Sequence, residues 1–257
     1  MHSFSYGGRD LLQFGGRITQ KPVHTVARRN VTRVKIYGKS GDEVIDNGSY
    51  DNVDFSVKVC FLPHLMGRRA DELARAVIDW LAPLQGGYHE YRDTLNNGYF
   101  TQAVLTNFAQ IERELRTLMT ATLKFTRVPF WYSDSGTVPV AFLNRGVDNI
   151  LINPEAYPSE PVYRFHHGGS GNAGVTVGIT VNGTTRTAQN LPYRDTNYYF
   201  DNVAGQYYCY IAGNKEYLGT VMLPDLIPGT NILRFYVSTV EQDASYSLEV
   251  IPNWRRL

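Results

Sequence analysis

Val53-Asp54-Phe55-Ser56-Val57-Lys58-Val59 is the stretch whose reading decides the fold. Val53, Phe55, Val57 and Val59 fall on one face, and Asp54, Ser56 and Lys58 on the other. That period of two belongs to a strand buried on one side only. The pattern returns downstream, where Met119, Ala121, Leu123 and Phe125 alternate with Thr120, Thr122, Lys124 and Thr126. Upstream, Val31 to Tyr37 alternates imperfectly and ends in Gly38-Lys39-Ser40-Gly41-Asp42, which is turn chemistry. A second turn, Asp46-Asn47-Gly48-Ser49-Tyr50-Asp51-Asn52, leads into the deciding strand. The first sixty residues therefore read as strands joined by glycine turns. Tyr99 to Asn107, rich in aromatic and β-branched residues, adds another strand. Between it and Met119, the segment Phe108 to Arg116 has helical propensity that competes with a long hairpin arm. The reading favours a hairpin with a poorly specified middle.

One segment changes period. From Arg68 to Leu84 the apolar positions Leu73, Ala76, Val77, Trp80, Leu81 and Leu84 recur at helical spacing, with Arg69, Asp71, Glu72, Arg75 and Asp79 opposite them. Pro83 and Gly86-Gly87 end the pattern. This is one helix of about four turns, and its apolar stripe must lie on a sheet.

Val128 to Gly136 marks a stop. The stretch onward to Pro161 holds Pro139, Pro154, Pro158 and Pro161 and reads as a connection, with a boundary near 140. Beyond it, eight short strands are expected without a helical interruption: Val162 to His166, Val175 to Val181, Thr185 to Leu191, Tyr198 to Phe200, Gln206 to Ile211, Leu218 to Leu223, Asn231 to Tyr236 and Tyr246 to Ile251. Asn182-Gly183 is the expected hairpin turn between two of them. Such spacing points to a β-sandwich or jelly roll.

Composition narrows the function classes. Over 257 residues, 25 Lys and Arg against 24 Asp and Glu leave a net charge of +1, so no global field draws the chain to nucleic acid or an anionic membrane. With 43% hydrophobic and 19% charged residues, the chain is expected to fold rather than remain disordered. Cys60 and Cys209 lie far apart without a CxxC spacing and read as two lone buried thiols. No apolar run approaches the ~18 residues of a membrane helix, and Met1 to Asp10 lacks a signal-peptide core. The expectation is a soluble protein made in a cytoplasm, for which the sequons at Asn30, Asn47 and Asn182 carry no weight.

No catalytic pattern stands out. Gly169-Ser170-Gly171-Asn172-Ala173-Gly174 has the GxGxxG spacing, but a strand follows it, and a phosphate site needs a helix N-terminus there. His166 and His167 are adjacent on a strand and point to opposite faces, so they cannot chelate one metal. Glu112 and Glu114 read as solvated charges rather than a glycosidase pair, and no GxSxG elbow occurs. The sequence thus indicates no enzyme, no metal and no cofactor. The aromatic excess is more informative, because Tyr193, Tyr198, Tyr199, Phe200, Tyr207, Tyr208 and Tyr210 crowd one stretch. Tyr193, Tyr198, Tyr199, Tyr207 and Tyr208 are candidate contacts to a glycan or a protein partner.

Taken in order, a series of short motifs resembles the distal tail protein (Dit) family of long-tailed siphophages. It begins with Phe4-Ser5-Tyr6-Gly7-Gly8-Arg9-Asp10, then Tyr37 to Asp42 and Asn47 to Asn52. The helix ending near Trp80-Leu81, Tyr91-Arg92-Asp93, and Phe125 with Pro129-Phe130 follow. Asn144-Arg145-Gly146, Pro161, Pro228-Gly229-Thr230-Asn231 and Ile251-Pro252-Asn253-Trp254-Arg255 complete it across the whole chain. The family's basic Gly-Arg turn carries Lys39 here.

The resemblance implies a mainly β protein. Residues 1–139 would form a tail-tube-like β-sandwich with one flanking helix, and residues 140–257 a galectin-like, carbohydrate-binding-module-like β-sandwich. It implies a structural virion protein rather than an enzyme: a homohexameric ring at the distal end of a phage tail, assembled in the host cytoplasm. Its partners would be the tail tube protein, the tail tip protein, and receptor-binding or baseplate proteins. The tape-measure protein and DNA would pass through its lumen as transient cargo, and the membrane would not be entered. The alternative function is a lectin-like host-recognition module.

Overall fold

The computed structural model describes residues 2–23, 25–108, 112–115, 118–142, 145–168, 174–192, 195–238 and 245–257. The chain is mainly β, with one α-helix among the described residues, and divides into two compact units, Met1–Trp131 with Leu257 and Tyr132–Arg256.

The first unit contains β1 (Phe4–Tyr6), β2 (Arg9–Asp10), β3 (Gly16–Gln20), β4 (Arg29–Lys35), β5 (Asp42–Tyr50) and β6 (Val53–Phe61), followed by α1 (Ala70–Leu81). Then come β7 (His89–Asp93), β8 (Tyr99–Phe108), β9 (Glu112–Leu115) and β10 (Leu118–Arg127). The main sheet runs β2-β1-β7-β8-β10-β6-β3, with β9 beside β10. β6 and β10 pair antiparallel over nine positions, from Met119↔Phe61 to Arg127↔Val53. This register puts Val57 against Leu123 and Phe55 against Phe125, so the two alternating stretches bury one common face.

The sheet curls. Phe55 on β6 and Tyr91 on β7 are three strand spacings apart along the sheet, roughly 14 Å if it were flat. Their ring centroids lie 5.1 Å apart, and Tyr6 on β1 meets Phe125 on β10 at 5.2 Å. The two halves of the sheet therefore face each other across an aromatic core. α1 closes the open side. Its Leu73, Val77, Trp80 and Leu81 are buried, Trp80 stacks on Phe14 at 4.7 Å, and its indole N–H donates to the Tyr6 carbonyl at 3.0 Å. The helix starts where the Glu72 carboxylate accepts the Arg69 N–H, and past Leu81 it tightens into a 3₁₀ turn containing Pro83.

β4 and β5 form a separate two-stranded hairpin closed by a turn at Gly38 (φ 81°) and Gly41 (φ 90°). Both strands are exposed for most of their length. In the Phe108 to Arg116 segment, β9 pairs antiparallel with β10, while residues 109–111 and 116 lie outside the described residues.

The chain passes to the second unit within β11 (Trp131–Ser133). The units divide at Trp131/Tyr132, eight residues before the expected 140, because the chain just past Trp131 is already bonded into the second unit. There the Ser133 N–H donates to the Trp254 carbonyl at 2.8 Å and the Asn253 N–H to the Gly136 carbonyl at 2.8 Å. Next are β12 (Val140–Phe142), β13 (Asn149–Asn153), β14 (Val162–His167), β15 (Val175–Val181), β16 (Thr184–Leu191) and β17 (Thr196–Asp201). β18 (Gln206–Ile211), β19 (Asn214–Gly219), β20 (Gly229–Val237), β21 (Tyr246–Ile251) and β22 (Arg255–Arg256) complete the chain.

One sheet orders β12-β21-β14-β17-β18-β19 and the other β13-β20-β15-β16. Tyr163, Phe165, Tyr198, Phe200 and Leu248 of the first meet Val177, Ile179, Leu233 and Phe235 of the second in one core, making a β-sandwich. Two corrections to the sequence reading follow. The stretch expected as connection contributes β12 and β13, both pairing at sheet edges. The strand expected at Leu218 to Leu223 instead spans Asn214–Gly219, because Ala212 (φ 50°) and Gly213 (φ 83°) make a tight hairpin turn immediately before it. The Asn182-Gly183 turn forms as expected, with φ of 49° and 81°. Cys209 is buried and Cys60 half-buried; both are free thiols.

Candidate functional site

Strand parity sorts the tyrosine cluster into two sets. Tyr198 pairs with Cys209, and Phe200 with Tyr207, on the inward face. Tyr198 is fully buried and Tyr207 packs on the core, stacked on Phe200 at 5.7 Å, so both side chains belong to the sandwich interior. Tyr199 and Tyr208 are cross-strand partners on the outward face. Tyr193 lies outside the described residues.

The outward set is larger than the sequence reading gave. Registers place Glu249, Arg164, Tyr199, Tyr208 and Tyr217 in one row across β21, β14, β17, β18 and β19. Tyr210 joins them edge-on, 5.7 Å from Tyr199 and 5.8 Å from Tyr208. Arg164 donates to Glu249 and also bonds Tyr199; burial opposes its charge, but those bonds outweigh it and hold its pKa up. Tyr199 and Tyr208 stack at 5.3 Å and 10°, and the Lys215 ammonium sits 3.7 Å from the Tyr208 ring centre. Burial, with the nearby Asp201 charge, raises the Tyr208 pKa, so its hydroxyl is a neutral hydrogen-bonding group at ordinary pH. Tyr199 and Tyr208 thus spend ring faces on each other and on Lys215, while Tyr210 and Tyr217 remain exposed. Missing from the sequence reading were Tyr217, which the displaced strand boundary concealed, and Lys215.

A second surface is the β4–β5 hairpin. Arg29 grips Asp46 with two nitrogens, Nη2–Oδ2 at 2.6 Å and Nε–Oδ1 at 2.8 Å, and lies over the Tyr50 ring at 4.6 Å. That contact lowers the Asp46 pKa. Lys39 pairs with Glu43 at 3.0 Å across the turn. Beside this root, Arg28, Arg29, Asn30, Val31, Arg33 and Asp51 line an open groove of about 380 Å³. On the polar face of the main sheet, Asp54, Ser56, Thr106, Lys124 and Thr126 border a second open groove of about 450 Å³.

Among the described residues no group of three His, Cys, Asp or Glu side chains is placed to hold a metal. His166 faces outward against Asn197 and His167 inward, stacked on Tyr246. Gly174 is followed by β15, not by a helix, and residues 169–173 lie outside the described residues. The side chains of Glu112 and Glu114 also lie outside them.

No protein-family model and no curated protein matches the chain. A solved structure does. The crystal structure of SPP1 Dit (gp 19.1), described as a paradigm of hub adsorption apparatus in phages infecting Gram-positive hosts, superposes with a TM-score of 0.68. The match covers 100% of both chains at 13% identity, so what it shows is a shared fold over the whole length.

Proposed function

We propose that this protein is a structural hub at the distal end of a long phage tail, a Dit-like component that is not an enzyme. The observation carrying this reading is the end-to-end fold match to SPP1 Dit, which covers 100% of both chains. In this reading six copies close into a ring whose first units join the tail tube. The polar face of the main sheet, with Ser56, Thr106, Lys124 and Thr126, lines the lumen through which tape-measure protein and DNA pass. On the second unit, the row through Tyr199, Tyr208 and Tyr217 receives tail tip, baseplate or receptor-binding proteins. The protein then resides in the virion. A sheet whose edges are taken up by neighbouring copies leaves no template for aggregation, which is the physical advantage of closure. Electron microscopy of the purified chain tests the proposal: closed sixfold rings support it, and particles without rings at any concentration oppose it.

The second reading is a saccharide-binding module, and the outward tyrosine row is the observation that favours it. Stacking on a sugar needs free ring faces, which Tyr210 and Tyr217 retain better than Tyr199 and Tyr208. Saccharide titration of the full chain separates the two readings. Millimolar or tighter binding that Tyr210→Ala and Tyr217→Ala abolish would favour the lectin.

A further inference from the structure

Strand parity leaves a line of cations on the polar face of the main sheet. Arg17 on β3 stands opposite Cys60 of β6, Lys58 lies two residues along β6, and Lys124 on β10 stands opposite Ser56, two residues further. Each step crosses one strand and two residues, which is about 8 Å on a pleated sheet. Lys21, just past β3, lines an open groove of about 290 Å³ with Lys58, and Lys124 lines the groove of about 450 Å³. Asp54, Phe55 and Ser56 border both grooves, so the two adjoin at β6.

These charges are not used within the fold. Lys21, Lys58 and Lys124 are exposed and Arg17 is half-buried, and among the described residues none of the four is in an ion pair. Arg29, Lys39, Arg164 and Arg234, by contrast, each hold a carboxylate. Two carboxylates share the face. Asp54 accepts the Thr126 hydroxyl, and Glu112 is in register with Thr120, four residues along β10 from Lys124. Ser56 stands directly opposite Lys124 and Thr122 opposite Lys58. The hydroxyls of Ser56 and Thr122 bond to nothing among the described residues.

We infer that this face binds the phosphodiester backbone of a nucleic acid. Arg17, Lys21, Lys58 and Lys124 each meet a phosphate, and Ser56 and Thr122 donate to phosphate oxygens. A polymer with one negative charge in every repeat satisfies a line of evenly spaced cations and releases its condensed counterions as it does so. Phe55 and Phe125, which alternate with these residues, are buried in the core, so bases find no ring of theirs to stack on. The contact is therefore to the backbone and indifferent to sequence. The inference deepens the channel reading of this face given above and rests on it for where nucleic acid meets the chain. It adds that the wall grips its cargo, weakly and in a salt-dependent way, instead of only enclosing it.

Fluorescence anisotropy of a labelled oligothymidylate of about twelve nucleotides, titrated with the full chain across a salt series, tests it. Four phosphate contacts to a single strand predict a slope of about −2.8 in log Kobs against log salt, an affinity loss of about fiftyfold between 50 and 200 mM. Lys58→Ser with Lys124→Thr should halve that slope, whereas Lys58→Arg with Lys124→Arg should keep it. Arg186→Ser, on the second unit, should leave it unchanged. Should the neutral pair fail to fold, Lys124→Thr alone decides, with a slope shallower by about 0.7. An unchanged slope in the neutral variants, or no binding by the wild type at 50 mM salt, overturns the inference. Equal affinity for a labelled polyglutamate of the same length overturns it in favour of an acidic protein segment. The titration reads the chain whether or not it closes. Rings without binding overturn this inference alone, and binding without rings leaves phosphate recognition standing and opposes the hub.

Discussion

The Arg127 guanidinium donates through Nη2 to the carbonyl of Thr25 at 3.0 Å, tying the last residue of β10 to the segment that leads into the exposed hairpin. Arg127 is only 1% exposed, and its other contacts are the Val128 and Pro129 carbonyls and the Trp131 ring. Burial lowers its pKa to about 10. A cation is thus buried to hold three backbone oxygens, and one of them fixes the root of the hairpin.

Arg127→Met should remove these bonds and leave buried carbonyls without donors, costing about 2–4 kcal/mol of stability. Urea unfolding measures that cost. Hydrogen exchange should show loosened amides at the hairpin root, between Thr25 and Arg29, while α1 keeps its protection. Arg127→Lys should recover only part, because one ammonium cannot reproduce the planar fork.

Tyr163 gives a pH dependence. Its hydroxyl donates to the Pro224 carbonyl at 2.8 Å, and burial, with the nearby Asp225 charge, raises its pKa far above the ordinary value. The folded-state pKa exceeds the unfolded value of about 10. The contribution is therefore complete below pH ~10 and declines above it by about 1.4 kcal/mol per pH unit. Tyr163→Phe should cost about 1 kcal/mol at neutral pH. That deficit should vanish and then reverse as urea melts are repeated towards pH 11.

Asn231 is fully buried and bonded on every side. Its Nδ2 donates to the Ile227 and Gly229 carbonyls, while its Oδ1 accepts from the Ile227 N–H and from Asn182 Nδ2. Asn182 in turn accepts the Ile232 N–H while holding φ 49° in its turn. Asn231→Ala should cost about 2–4 kcal/mol, because several buried groups lose partners at once. Combined with Asn182→Ala the loss should be less than additive in a denaturant series.

On the outer face, a double-mutant cycle at Tyr199 and Tyr208 should return a coupling of about 0.5–1.5 kcal/mol from the stacked pair. Neither Tyr199→Ala nor Tyr208→Ala should change ring formation, since assembly is assigned to the first unit. Ring loss in either variant, seen by electron microscopy, would place the assembly contact on the wrong unit.

Much of the fold could be read from the sequence because single-sided burial leaves a periodic trace. Val53 to Val59, Met119 to Phe125 and the stripe from Leu73 to Leu81 each show one face packed on a core. Where periodicity is absent the reading stopped. Asn149-Ile150-Leu151-Ile152-Asn153 is an edge strand that buries Leu151 but exposes Ile150 and Ile152, so its apolar run marks no face. Ala212 in a left-handed turn is not among the residues that announce one, and the misplaced β19 boundary hid Tyr217 and Lys215. In the tyrosine cluster, parity along one strand separates Tyr198 from Tyr199, but which parity faces inward depends on the partner sheet. The curl that brings Phe55 to Tyr91 is a long-range fact with no local signature.

The central claim is that this chain builds a hexameric hub, and its solution mass across a concentration series is the direct measurement. Light scattering should show a species six times the 29.1 kDa chain that grows with concentration. A chain that stays monomeric at high concentration, and still does so with a tail-tube or tail-tip protein present, would contradict the account.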